Sequence, residues 1–319
     1  MSFTTYLESW SKPQTLVNQM IAAGALTPNS RLVLAFASFN FSSQNYIPGV
    51  QNMSLSDVQA LTNLVHSRGA RISLSIGGAT YPFLNSDLYE QPGNLAANIN
   101  AVLTLCGFDG VDFDIEDSAA GVPKDFAQQA ASVINTLRSL NSGLYITLTT
   151  PAQAWSSGMY QQTLLNYVYD SINAWQPMEY DLWLAQAAAP TPLGVGASLA
   201  ASLAAAPVPL GTGATTSYAN QITYDINFYI KSWSVQPSKL ILGLMPGVDD
   251  MGHNLSLQDA LNLTSSSQAT GLQGVMTWDA NLDAAGRDKN APFAYMMGIQ
   301  SQLSKGPVRH SSLHYTMMM

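Results

Sequence analysis

Short apolar runs rich in Val, Ile, Leu and Phe recur along the chain, and most are bounded by Gly, Pro, Asn or Ser. Runs of this length and composition are typical of buried β-strands. Glycine or proline directly follows the runs that end at Ile76 and Thr150. The predicted strands are Phe3–Trp10, Arg31–Phe39, Ala70–Ile76, Gly110–Glu116, Leu144–Thr150, Ile172–Asp181, Lys239–Leu244 and Gly274–Asp279.

Stretches with helical character separate these runs. Alternation of strand and helix predicts a parallel sheet with right-handed crossovers, and eight such units close a (β/α)8 barrel, an α/β fold. A doubly wound open sheet is the alternative, but the first strand is not followed by a Gly-rich phosphate loop. The predicted helices are Lys12–Ala23, Ser54–Ser67, Asn94–Cys106, Pro123–Leu140, Met159–Tyr169, Tyr218–Trp233 and Ser256–Leu263.

The length of 319 residues fits one elaborated barrel or two smaller domains. We expect a single domain over residues 1–304 and a frayed tail over residues 305–319. Residues 185–217 form an Ala-, Gly- and Pro-rich segment without any charged residue. This segment follows the sixth strand, so it projects from the face where barrel active sites lie. It is either a long loop with one short helix or a wall of the substrate cleft.

Charge is scarce, with 10% Asp, Glu, Lys and Arg and a formal net charge of −8. A nucleic-acid partner needs clustered Lys and Arg, and an anionic membrane surface needs the same. Both are therefore excluded as expected partners. A neutral polar partner such as a sugar fits this composition, and a monomer is expected.

The chain has one cysteine, which excludes an intrachain disulfide. Cys106 lies in an apolar helical run and is expected to be a buried thiol, and four histidines offer no zinc pattern. No metal or cofactor is expected. The N-terminus lacks the basic-then-apolar pattern of a signal peptide. The low charge favours a secreted protein whose leader is absent from this chain, with a cytoplasmic location as the alternative.

The fourth predicted strand carries three acidic residues at alternate positions, Asp112, Asp114 and Glu116. Alternate residues of a strand share one face, so the three carboxylates should line the inside of a barrel. Crowded buried carboxylates shift their pKa values and share protons, which keeps an acid protonated for donation. The alternatives are solvated carboxylates on an edge strand and a Mg²⁺ or Ca²⁺ site.

Asp109 to Glu116 reads DGVDFDIE and resembles the D-G-x-D-x-D-x-E signature of glycoside hydrolase family 18, the chitinase family. Further elements follow in the same order as in that family. They are SLSIGG ending at Gly78, MEYD ending at Asp181 and GVMTW ending at Trp278. The resemblance spans roughly Phe3 to Met297 and independently implies the (β/α)8 barrel.

The resemblance also implies roles for five residues. Glu116 would be the acid and base, and the substrate's 2-acetamido oxygen would be the nucleophile, with net retention. Asp114 would orient the acetamido N–H, and Asp112 would hold the shared proton. Tyr180 would donate to the acetamido carbonyl, and Asp181 would hold the distorted sugar.

Several further residues are expected to bind substrate. Trp278 would form the floor beneath the reacting ring, and Gly77 and Gly78 belong to the S-x-G-G element. Gln176 and Met178 share the inward strand face with Tyr180, and an inward glutamine suggests a sugar contact. Trp10, Trp155 and Trp183 lie near strand ends, where each either lines a subsite or packs.

Many members of this family insert a separate α+β domain between strands seven and eight. Here strand seven ends near Pro246 and strand eight begins near Gln273, which leaves room only for a loop and a helix. The cleft should therefore be shallow and open, which suits an endo-acting chitinase on β-1,4-linked N-acetylglucosamine polymers. The alternatives are an endo-N-acetylglucosaminidase on N-glycan cores, a non-catalytic chitin-binding lectin, and a barrel that is not a glycosidase.

Overall fold

A computed structural model describes residues 1–40, 46–79, 92–116, 124–152, 159–182 and 218–306. Within these residues, eight parallel strands close a barrel in the order β1-β12-β9-β8-β7-β6-β5-β2. Closure comes from pairing of β1 with β12, where Ser2 lies opposite Gly274. The predicted (β/α)8 barrel is therefore confirmed. Its strands are β1 (Ser2–Glu8), β2 (Ser30–Ala35), β5 (Arg71–Gly77), β6 (Gly110–Asp114), β7 (Tyr145–Pro151), β8 (Ala174–Met178), β9 (Ile241–Leu244) and β12 (Gly274–Thr277).

Helices follow the strands as predicted. Serine side chains cap two of them, because Ser54 and Ser256 each accept the backbone N–H three residues on. The helix predicted to end at Leu263 continues to Thr270. Helices α8 and α9 were not predicted. The described helices are α1 (Pro13–Ala23), α2 (Leu55–His66), α3 (Pro92–Cys106), α4 (Phe126–Leu140), α5 (Met159–Val168), α6 (Tyr218–Ser232), α7 (Leu257–Thr270), α8 (Ala280–Ala284) and α9 (Ala294–Ser304).

The second predicted strand, Arg31–Phe39, was wrong in its second half. The barrel strand β2 ends at Ala35, and the chain leaves the barrel to form β3 (Ala37–Asn40). Strand β3 pairs antiparallel with β4 (Tyr46–Val50) in a separate two-stranded sheet. The run RLVLAFASF continues from β2 into β3 without Gly or Pro, so composition alone did not mark the boundary.

Two apolar layers surround the sheet. The larger layer lies between strands and helices and includes Val111, Phe113 and the buried thiol of Cys106, as predicted. The smaller layer fills the inside of the barrel around Tyr6 and Met276. Along β6 the acidic positions therefore face inward while the apolar positions face the helices.

The connection between β9 and β12 is short and fully described. It contains a hairpin of β10 (Gly247–Val248) with β11 (Asn254–Leu255), and then helix α7. The α+β insertion domain is thus missing from this position, as predicted. None of the described helices has the length and apolarity needed to cross a membrane.

Candidate active site

Asp112 lies on β6 at the centre of a ring of hydrogen-bond donors and is fully buried. Among the described residues, five side chains from four other strands of the barrel donate to its carboxylate. Burial raises the pKa of Asp112, and the hydroxyl donors oppose that rise by favouring the charged form. The donors are Tyr6 Oη at 2.7 Å, Ser75 Oγ at 2.8 Å, Thr147 Oγ1 at 2.6 Å, Thr149 Oγ1 at 2.7 Å and Gln176 Nε2 at 3.3 Å.

Asp114 lies two residues further along the same strand and is also buried. Its Oδ1 atom has no hydrogen-bond partner among the described residues. Burial, followed by the nearby charges of Glu116 and Asp112, raises the pKa of Asp114 well above its usual range. Burial of a carboxylate oxygen that accepts from no described residue favours the neutral form of Asp114.

Glu116 lies just beyond the end of β6 and is half-buried. Backbone hydrogen bonding between β6 and β7 continues past the end of β6, because Ile115 N donates to Thr149 O at 2.9 Å. Glu116 is therefore the outermost of the three carboxylates, at the carboxyl end of the barrel. This is the end at which barrel enzymes bind substrate.

Strand β8 brings Met178, Tyr180 and Asp181 to the same end of the barrel. Tyr180 is buried, and its pKa is raised by burial and then by the charges of Asp114 and Glu116. Its hydroxyl therefore remains a proton donor beside the carboxylates. Asp181 adopts a left-handed backbone conformation with φ 54° and is half-buried.

Three aromatic rings form a continuous stack from the barrel mouth outward. Phe36 lies between Trp278 and Trp10, with centroid distances of 6.2 Å to each and interplanar angles of 22° and 26°. Tyr6 also contacts Trp278, at a centroid distance of 5.2 Å. Trp10 keeps 45% of its surface exposed, so the stack offers an apolar face to a ligand.

Gly77 and Gly78 turn the chain at the end of β5. Their φ angles of 118° and 89° lie in the region that L side chains rarely adopt. Gly78 N donates to Asp114 O at 2.9 Å, so the turn fixes the backbone of the acidic strand. A Cβ atom at Gly78 would overlap the Phe36 ring.

Gln176 lies among the side chains that surround Asp112. It is fully buried and donates to Asp112 and, at 2.9 Å, to Thr149 Oγ1. The inward glutamine therefore supports Asp112, and its Oε1 has no hydrogen-bond partner among the described residues.

Several predicted features lie outside the described residues. These are Trp155, Trp183, the segment over residues 185–217 and the tail from residue 307 onward. Among the described residues, no group of three or more His, Cys, Asp and Glu side chains is arranged to hold a metal ion.

Sequence reasoning missed the hydroxyl donors around Asp112. Ser75, Thr147 and Thr149 occupy inward positions of strands whose other face is apolar. Polar residues at alternate positions of otherwise apolar strands were the available signal. Tyr6 gave the same signal on β1, where its hydroxyl lies 3.0 Å from Thr149 Oγ1.

Comparison with known families gives a match over nearly the whole chain. The model for glycosyl hydrolases family 18 matches residues 2–295. Comparison with curated protein sequences gives no match.

Solved structures share the fold at low sequence identity. The C-terminal domain of ChiA from Legionella pneumophila is 18% identical, with a TM-score of 0.66 over 93% of this chain and 97% of that one. A chitinase from Rhizomucor miehei is 18% identical, with a TM-score of 0.65 over 94% and 100%. The catalytic domain of a hyperthermophilic chitinase from Pyrococcus furiosus is 17% identical, with a TM-score of 0.66 over 95% of each chain.

Proposed function

The chain belongs to glycosyl hydrolases family 18 and is a glycoside hydrolase, and from that premise we propose that it is an endo-acting chitinase. It would cleave β-1,4-linked N-acetylglucosamine polymers with retention. The observation that carries the proposal is the graded row of carboxylates on β6. Asp112 accepts hydrogen bonds from several side chains, Asp114 is buried with one oxygen that has no partner in the described part of the chain, and Glu116 is outermost.

Glu116 is assigned as the acid and base. Its position at the barrel mouth allows it to protonate the glycosidic oxygen as the bond to C1 breaks. It then takes a proton from the water whose oxygen attacks C1. One proton is given and one is recovered, so the cycle closes as hydrolysis.

The substrate supplies the nucleophile in this proposal. The carbonyl oxygen of the 2-acetamido group attacks C1 and forms an oxazolinium ion, and no protein carboxylate bonds to the sugar. A group tethered to the reacting ring has a high effective concentration, so no enzymic nucleophile is needed. Asp114 faces the acetamido N–H and Tyr180 donates to the carbonyl oxygen, which positions the attack.

The donor ring around Asp112 refines the location of the resting proton. The resemblance implied that Asp112 holds the proton, whereas the five donors favour Asp112 as a fixed anion. We assign the proton at rest to Asp114, which is buried and whose Oδ1 accepts from no described residue. Its transfer to Glu116 prepares the acid and leaves Asp114 charged beside the developing cation, which stabilises the transition state.

Substrate binding is assigned to the open mouth of the barrel. Trp278 serves as the floor, Trp10 extends the apolar face outward, and Met178 and the turn at Gly77 complete the nearby wall. The short connection between β9 and β12 supports endo action because it builds no domain that would block one end of the cleft.

Two substrates test this function directly. The protein is incubated with chitohexaose and, separately, with a high-mannose glycoprotein, and the products are identified by mass spectrometry. Shorter chitooligosaccharides with no glycan trimming are expected. A trimmed glycan would select the endo-N-acetylglucosaminidase, and binding without cleavage would select the lectin.

Partially deacetylated chitosan tests substrate assistance. Every new reducing end should be N-acetylated, and the β anomer should form first. A thiazoline analogue of the cyclic intermediate should inhibit, because it resembles the state that Asp114 and Tyr180 stabilise. Glucosamine at many new reducing ends, or the inverted anomer, would show that a protein carboxylate or water attacks directly.

A further inference from the structure

Asp249, in the turn between β10 and β11, has a carboxylate that is buried and enclosed by donors from three chain segments. Its Oδ1 accepts Met251 N at 3.1 Å and His253 N at 2.7 Å. Its Oδ2 accepts Asp181 N at 2.8 Å and Tyr218 Oη at 3.2 Å, and His253 Nδ1 lies 3.1 Å away. Burial alone would raise the pKa of Asp249, but these hydrogen bonds outweigh it and lower the pKa.

Asp249 and Asp181 are joined in both directions. Asp181 N donates to the Asp249 carboxylate, and Asp250 N donates to Asp181 Oδ1 at 2.7 Å. The left-handed backbone of Asp181 costs a non-glycine residue about 1–2 kcal/mol. The Asp249 carboxylate thus accepts the N–H of this strained residue. The N–H of Asp250 in turn restrains the Asp181 carboxylate.

This pair lies at the edge of the proposed active site. Asp181 directly follows Tyr180, and the charge of Asp181 contributes to the raised pKa of the Tyr180 hydroxyl after burial, Asp114 and Glu116. Tyr218 Oη donates to Glu179 O at 3.0 Å as well as to Asp249. The backbone on both sides of Tyr180 is therefore connected to the same buried network.

We propose that Asp249 is a positioning residue for hydrolysis, which holds Asp181 in the conformation that lets its carboxylate meet the distorted sugar. The inference rests on the proposed function, in which Asp181 contacts substrate. Asp249 itself faces backbone N–H groups and touches no reacting atom.

Asp249→Asn is the direct test. Both carboxylate oxygens accept backbone N–H groups, so the introduced amide nitrogen meets a donor in either orientation. On chitohexaose, kcat should fall by about tenfold to a hundredfold, because small displacements of positioning groups have effects of this order. KM should stay nearly constant, since the lost interaction acts in the transition state.

Asp283→Asn is the matched control. Asp283 is also a buried aspartate that accepts two backbone N–H groups, from Tyr295 at 3.2 Å and Met296 at 2.8 Å, at the start of α9. Its substitution should lower the melting temperature and leave kcat unchanged. Thermal melts of both variants separate loss of stability from loss of positioning.

The double variant Asp181→Asn with Asp249→Asn identifies the route of the effect. If Asp249 acts through Asp181, kcat of the double variant should equal that of Asp181→Asn alone. Losses that multiply, or wild-type kcat in Asp249→Asn, would overturn the inference. If Asp249→Asn does not fold, Tyr218→Phe replaces it, with a several-fold loss expected on the same criterion and full kcat overturning the inference. A wild-type protein that cleaves no chitooligosaccharide, or a fully active Asp181→Asn, would instead refute the proposed function.

Discussion

Removal of one hydroxyl from the ring around Asp112 should change both stability and the pH dependence of catalysis. Tyr6→Phe deletes the 2.7 Å hydrogen bond to Asp112 Oδ2 and keeps the ring that packs on Trp278. A hydrogen bond to a charged group contributes about 1.5–3 kcal/mol. Ser75 Oγ, at 2.8 Å, still donates to the same oxygen, so we expect the unfolding free energy to fall by about 1.5 kcal/mol.

The pH dependence should follow from the same bond. With one donor fewer, the charged form of Asp112 is less stable, so its pKa rises further. The acidic limb of the kcat/KM profile on chitohexaose, which reports groups of the free enzyme, should therefore move to higher pH. Urea unfolding measures the first effect, and initial rates between about pH 3 and 9, a range that spans the ordinary carboxyl pKa values, measure the second.

Tyr295→Phe is the control for this comparison. Tyr295 is equally buried, and its hydroxyl donates at 2.7 Å to the neutral oxygen of Leu255. Its loss should cost about 0.5–1.5 kcal/mol without any change in the pH profile. The reasoning is refuted if the acidic limb is the same in Tyr6→Phe and wild type, because Asp112 would then not depend on the ring.

Three further results are expected. Glu116→Gln should lower kcat on chitohexaose by about 10²–10⁴-fold with binding retained, and wild-type turnover would place the acid elsewhere. Gly78→Ala should destabilise the fold by about 1–3 kcal/mol in urea titrations, since its Cβ overlaps Phe36, and an unchanged midpoint would contradict this. Burial raises the pKa of Asp225 to about 7. The folded chain therefore keeps a proton that the unfolded chain releases at about pH 3.9. Unfolding free energy should therefore fall as pH rises from about 4 to 7, by up to about 4 kcal/mol, and Asp225→Asn should flatten this slope.

The sequence was informative wherever one face of a strand had to be buried. Alternation in β6 placed Val111 and Phe113 outward and Asp112 inward, and the structure has them so. The barrel followed from the repeated units because each strand needs a crossover before the next parallel strand. These features depend on local patterns that a chain displays residue by residue.

Long-range pairing and side-chain partners were harder to predict. The end of β2 could not be located, because the run RLVLAFASF continues without a break into β3, which pairs with β4 outside the barrel. The contact of Gln176 with Asp112, 64 positions earlier, could not be read from the sequence because no local pattern joins the two residues. The restraint of Asp181 by Asp249 spans 68 positions and carries no motif.

The donor ring around Asp112 also has a consequence for how the molecule acquires activity. Tyr6 is separated from Asp112 by 106 positions, and the barrel that brings them together closes when β1, already paired with β2, also pairs with β12 at the far end of the chain. Such distant contacts form late, because loop closure over long segments is slow. A refolding chain should therefore regain helical signal before it regains turnover. Recovery of activity would therefore report the final closure of the barrel. Fragments made by cutting the chain between strands should be inactive until they reassociate.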